Sequence, residues 1–174
     1  MTAERRYLVL KKNISTAVKS RFVPFDELMP ILSEQINAGC KVRFSPRGVS
    51  MLPMLRQGID SVELSKAPQK LKKYDIPLYR RNNGQYVLHR IVDVGETYTC
   101  IGDAQFVKEC GIRDDQIIAV VTSFNRGKRC YSVTIPIYLI YCRIWHYSRF
   151  IRHFVKRSIG WLKRRIRRLF SHSE

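Results

Sequence analysis

Hydrophobic positions along the chain change their period twice. Leu28, Ile31, Leu32 and Ile36 stand at helical spacing, with Asp26 and Glu27 near the start and Gly39 just past the end. Acids at the positive end and a glycine stop predict a short amphipathic helix from Pro24 to Ala38, with Pro30 acceptable in or near its first turn. After Gly39 the period drops to two, and Val42 and Phe44 alternate with Lys41, Arg43 and Ser45 as in a half-buried strand. Further strands are expected at Ser61 to Leu64, Ile76 to Tyr79, Gln85 to Val92, Thr97 to Ile101 and Gln116 to Ser123. Gly58, Asn82-Asn83-Gly84, Gly95, Gly102 and Gly111 punctuate them. Short strands without intervening helices predict a mainly β fold, α+β overall, built as an antiparallel barrel or sandwich.

From about Pro136 the period becomes helical again. Ile140, Ile144, Tyr147, Ile151, Phe154, Leu162, Ile166 and Leu169 form a stripe, and Arg143, Arg149, Arg152, Lys156, Lys163, Arg164 and Arg167 lie off it. Gly160 divides this run into two expected helices. The expected organisation is an N-terminal extension with a short helix at 1–40, a β domain at 41–130 and a cationic amphipathic tail at 131–174.

Length and charge then narrow the function. The 174 residues suffice for one core of ordinary size. Thirty-two Lys and Arg against fourteen Asp and Glu leave +18, which raises the question of an anionic partner. Residues 116–174 hold thirteen of those cations and one acid, a net +12, so only +6 falls on the rest. That placement favours an anionic membrane surface over nucleic acid, since no base-reading module accompanies the charge.

Five cysteines show no CxxC pair and no histidine at metal-ligand spacing, so reduced thiols are expected, with no metal and no cofactor. GxGxxG and P-loop motifs are absent. Tyr7 to Leu10 is too short for a secretory apolar core, and Cys130 to Cys142 is too short and is broken by Pro136. A cytoplasmic or peripherally membrane-associated location is the expectation.

Three short segments could carry chemistry. In Arg47-Gly48-Val49-Ser50-Met51-Leu52-Pro53, a serine follows a strand between a glycine and a proline. A serine hydroxyl needs a base to become a nucleophile and N–H donors for the oxyanion it forms, and a sharp turn can supply exposure and free amides. An ordinary turn would look the same. In Tyr86-Val87-Leu88-His89-Arg90-Ile91-Val92, His89 sits in a strand pattern, either as a structural imidazole or as that base. In Cys100-Ile101-Gly102-Asp103, Asp103 either caps a turn or orients the imidazole.

From about residue 41 to residue 124 the order of landmarks resembles the signal peptidase and LexA-type repressor superfamily of serine peptidases. Those landmarks are Gly48-Val49-Ser50-Met51-Leu52-Pro53, Lys73-Tyr74-Asp75-Ile76-Pro77-Leu78-Tyr79, Val87-Leu88-His89-Arg90-Ile91-Val92 and Ile101-Gly102-Asp103. The resemblance implies a coiled antiparallel β domain and hydrolysis of a peptide bond. Ser50 matches the family's nucleophile. His89 lies where many bacterial members place lysine and the endoplasmic-reticulum type places histidine, whereas Lys72 and Lys73 precede a different landmark and are poor substitutes. Asp103 matches the Gly-Asp motif as orienter, with Glu109, Asp114 and Asp115 as competitors. The chain departs from the pattern at Gly48, where many members have a hydroxyl residue, at Tyr74, usually glycine, and at Gly58-Ile59-Asp60, which has one residue too many.

The expected function is therefore a serine endopeptidase acting on a peptide or protein through a Ser-His dyad or triad, with Ile140 to Leu169 either tethering it to anionic lipid or packing on the β domain with its charges exposed. A self-cleaving regulator cut at Ala38-Gly39 and a non-enzymatic nucleic-acid-binding protein are the alternatives.

Overall fold

A computed structural model describes residues 25–155 and 157–158. The expected start of the first helix at Pro24, the division at Gly160, the stripe positions Leu162, Ile166 and Leu169 and the cations Lys156, Lys163, Arg164 and Arg167 lie outside the described residues. The chain divides into two units, Met1–Pro30 and Ile31–Glu174, with the division inside helix α1, Phe25–Asn37. Pro30 lies within this helix, beyond its first turn. Past its end the N–H groups of Ala38, Gly39 and Cys40 donate to the Glu34, Ile36 and Gln35 carbonyls, and Gly39 takes φ +81°. Ala38-Gly39 is thus the helix stop, in the left-handed conformation glycine adopts without strain.

The strands are β1 Val42–Phe44, β2 Ser61–Ser65, β3 Pro77–Arg80, β4 Tyr86–Leu88, β5 Arg90–Val94, β6 Tyr98–Ile101, β7 Glu109–Ile112, β8 Ile117–Arg126 and β9 Arg129–Ser132. All pairings among the described residues are antiparallel. One sheet runs β1-β2-β8-β3-β4 with β9 also on β8, and the other runs β5-β6-β7. The protein is thus mainly antiparallel β with a few helices. Between the sheets a core forms from Leu71, Tyr79, Ile91, Tyr98, Cys100 and Val120, among others.

Two strands, β7 and β9, answer to no expected segment, and β9 straddles residue 130, where the β domain was expected to end. The strand expected from Gln85 to Val92 is in fact two. Leu88, His89 and Arg90 are buried in succession, which strict alternation does not allow. The backbone leaves the first sheet after Leu88 and enters the second at Arg90, so His89 stands at the crossing between them.

Helix α2, Pro136–Tyr147, belongs to the same unit as both sheets. Pro136 opens it, where a missing N–H costs nothing. Residues 149–155 are helical as well, and the bonds Ser148 N to Ile144 O (2.9 Å) and Arg152 N to Ser148 O (3.0 Å) carry the helix through Ser148. Among the described residues no helix is long and apolar enough to cross a membrane. All five cysteines are free.

Candidate functional site

His89 is held from both sheets. Its side chain is only 2% exposed. On one side lies Tyr79 of β3, whose hydroxyl is 3.3 Å from Nδ1, and on the other Glu109 of β7, whose Oε1 is 3.1 Å from Nδ1. Tyr79 Oη donates to Glu109 Oε2 at 2.8 Å, Arg81 Nε donates to the same oxygen at 2.8 Å, and Arg81 Nη2 donates to Oε1. The carboxylate is thus fixed by two neighbours and faces one imidazole nitrogen.

The electrostatics follow from that geometry. Burial pushes the His89 pKa below its ordinary 6.5, and the Glu109 charge opposes the shift without cancelling it. Burial also acts to raise the Glu109 pKa, but the bonds from Arg81 and Tyr79 prevail and hold it below the ordinary 4.5. A neutral imidazole beside an ionised carboxylate places its proton on Nδ1. Nε2 then keeps its lone pair. No partner for Nε2 occurs among the described residues.

Asp103 does not take the orienting place beside Nδ1. It forms a buried, bidentate pair with Arg90, the residue after His89, through Nε to Oδ1 at 2.8 Å and Nη2 to Oδ2 at 2.7 Å. The same guanidinium donates to Tyr138 Oη at 2.6 Å and contacts Cys142 Sγ and Met54 Sδ, each at 2.9 Å. Burial disfavours its charge, but Asp103 raises the pKa well above the ordinary value. A guanidinium this deep requires a carboxylate, and Arg90 secures Asp103 for that purpose. Of the competitors, Glu109 faces His89, Asp114 accepts from Tyr98 Oη at 2.8 Å, and Asp115 pairs with Arg113 at the surface.

Ser50 is half-buried in the loop between β1 and β2. Gly48 enters that loop at φ +93°, and its N–H is held by Gln57 Oε1 at 3.0 Å. The Ser50 carbonyl accepts from Ala104 N at 2.8 Å. A Cβ on Gly102 would lie 2.7 Å from that carbonyl oxygen, so the glycine of the Gly-Asp landmark lets the serine loop close down. The serine loop, the Gly102–Ala104 turn and Arg90 are therefore locked together, with Met54 supplying the contact to Arg90. Among the described residues Ser50 Oγ and the Ser50 N–H have no hydrogen-bond partner, so none joins Ser50 to His89.

Two departures from the family pattern find places in the fold. Tyr74 takes φ +79°, a conformation natural to glycine and strained for a bulky side chain. Asp60 is fully buried, accepts Arg56 N, Arg56 Nε and Gly127 N, and has its carboxyl lowered to about 2, chiefly by the Arg56 side-chain bond against burial. No group of three or more His, Cys, Asp and Glu able to hold a metal occurs among the described residues.

No protein-family profile, curated protein or solved structure matches this chain.

Proposed function

We propose that the chain is a serine endopeptidase of signal-peptidase-like type, with Ser50 as nucleophile, His89 as general base and acid, and Glu109 as the orienter. The observation that carries this reading is the buried His89 imidazole. Its Nδ1 faces a fixed carboxylate, and its Nε2 has no hydrogen-bond partner among the described residues. Support also comes from the Gly102–Ala104 turn, which fastens the Ser50 loop to the segment that follows His89's neighbouring strand, and from the glycine-like φ of Tyr74 where the family has glycine.

In the reaction, Nε2 takes the proton from Ser50 Oγ as the oxygen attacks the scissile carbonyl carbon. Glu109 stabilises the imidazolium through Nδ1–H. The oxyanion of the tetrahedral intermediate takes backbone N–H donors in the serine loop, since Gly48 offers no hydroxyl. Collapse breaks the C–N bond, and the imidazolium returns its proton to the leaving amine. Water, deprotonated by the same Nε2, then cleaves the acyl ester and restores Ser50.

The test is cleavage of a peptide pool, read by mass spectrometry, with wild type, Ser50→Ala and His89→Ala across pH. Loss of cleavage in both variants is expected. Undiminished cleavage by Ser50→Ala refutes the assignment.

A further inference from the structure

The C-terminal helix packs by one face and leaves bare the face that its sequence pattern would bury. Tyr138 and Cys142 are buried, and Trp145, Arg149 and Arg152 are half-buried on the same side. Arg90 grips Tyr138 and Cys142, Trp145 Nε1 donates to the Asp103 carbonyl at 2.9 Å, and the Arg152 guanidinium lies 3.4 Å over the Trp145 ring. On the opposite side Ile140, Ile144, Tyr147, Ile151 and Phe154 are each more than half exposed. These five span roughly 20 Å at about 1.5 Å per residue. A helix packed on a sheet normally turns such a stripe inward. Here aromatic and arginine side chains satisfy the inward face, and nothing in folding the β domain accounts for the outward one.

The charge around the stripe selects its occupant. Arg143 and Arg157 are exposed on its shoulder, and residues 116–174 carry a net +12. A second copy meeting this face symmetrically would set Arg143 and Arg157 against the same two arginines. Nucleic acid would answer the charge and leave five bare apolar side chains in water. An anionic bilayer answers both, with acyl chains for the stripe and lipid phosphates for the arginines.

We propose that the outward face of this helix lies in the headgroup–acyl boundary of an anionic membrane, with the helix parallel to the surface. The helix meets the site through two bonds in series, Trp145 Nε1 to Asp103 O and Ala104 N to Ser50 O. Docking therefore holds the serine loop at a fixed offset from the lipid. That consequence rests on the peptidase reading, whereas the docking itself is read without catalysis.

The test is co-sedimentation of the full chain with vesicles of phosphatidylcholine and phosphatidylglycerol, or of phosphatidylcholine alone. Binding is expected to the anionic vesicles, weaker to the neutral ones and reduced by salt. The combined variant Ile140→Ser, Ile144→Ser, Ile151→Ser should lose about tenfold or more in binding, with unchanged circular dichroism, melting temperature and peptide cleavage. Ser50→Ala should bind as wild type, which separates this inference from the assignment of the nucleophile. Three results overturn it: undiminished binding by the triple variant, which assigns the affinity to charge alone; no binding to either vesicle; or a dimer that the triple variant abolishes without any vesicle binding.

Discussion

Glu109→Gln and Asp103→Asn separate two roles that adjacent motifs would otherwise confuse. The Glu109 carboxylate stands 3.1 Å from His89 Nδ1. At an effective dielectric of about 20, a unit charge at that distance stabilises an imidazolium by roughly 5 kcal/mol. Arg81 holds the same carboxylate and offsets part of this, leaving about 2–3 kcal/mol, or on the order of 100-fold in rate. Because the carboxylate raises the imidazole pKa, its removal also moves the acid limb of kcat/KM to lower pH. Asp103→Asn acts mainly elsewhere: it leaves the Arg90 guanidinium buried without its counter-charge and costs about 3–5 kcal/mol of stability, and because the Asp103 charge raises the imidazole pKa less than Glu109 does, it moves the acid limb less. The assay pairs pH–rate profiles with urea unfolding for wild type and both variants. An acid limb that shifts in Asp103→Asn and stays in Glu109→Gln refutes the assignment of the orienter.

His89 has a folded pKa below its unfolded one, so its contribution to stability is present above pH 6.5 and is lost as pH falls through the folded value. Urea midpoints should fall over that window, with a shallower slope in His89→Asn that does not vanish, because burial lowers His146 in the same direction. Gly102→Ala must displace the Ser50 carbonyl from 2.7 Å, and a misplacement of about 1 Å predicts on the order of 100-fold lower kcat/KM with the fold retained by circular dichroism. Asp60→Ala removes the carboxylate that accepts from the Gly127 N–H and the Arg56 backbone N–H and should lower the urea midpoint. In wild type the Asp60 contribution should disappear only as pH falls from 3.8 through about 2, which acid-unfolding curves of the two proteins check.

The residues that alternate cleanly made their strands legible. Val42 to Phe44 and Ser61 to Ser65 each bury every second side chain to some degree, as period-two reading assumes. β7 and β9 escaped because Glu-Cys-Gly-Ile and Arg-Cys-Tyr-Ser are short and carry no apolar alternation, and pairing with a neighbour makes them strands. The break at His89 was hidden by the β-branched and apolar residues on either side, whose local preference is for one continuous strand. Asp103 was legible as part of a Gly-Asp pair. Its attachment to Arg90 was not, although Arg90 stands directly after His89, because sequence order does not say that a guanidinium is buried. Nor does a helical stripe say which face turns inward, and Trp145 and Arg152 outcompeted the isoleucines by offering hydrogen bonds to the Asp103 carbonyl.

Arg90 also decides how the molecule comes apart. One guanidinium joins the second sheet, the loop after Ser50, the Asp103 turn and helix α2, so none of these can open without exposing an unpaired buried ion. The β domain and the C-terminal helix should melt in a single cooperative transition, with near-ultraviolet signals from Trp145 and far-ultraviolet signals from the sheets coinciding. Removal of the chain from Pro136 onward would accordingly unfold the β domain, and this helix could not be grafted onto another protein, or replaced by a different helix, without rebuilding the centre of the domain it packs on.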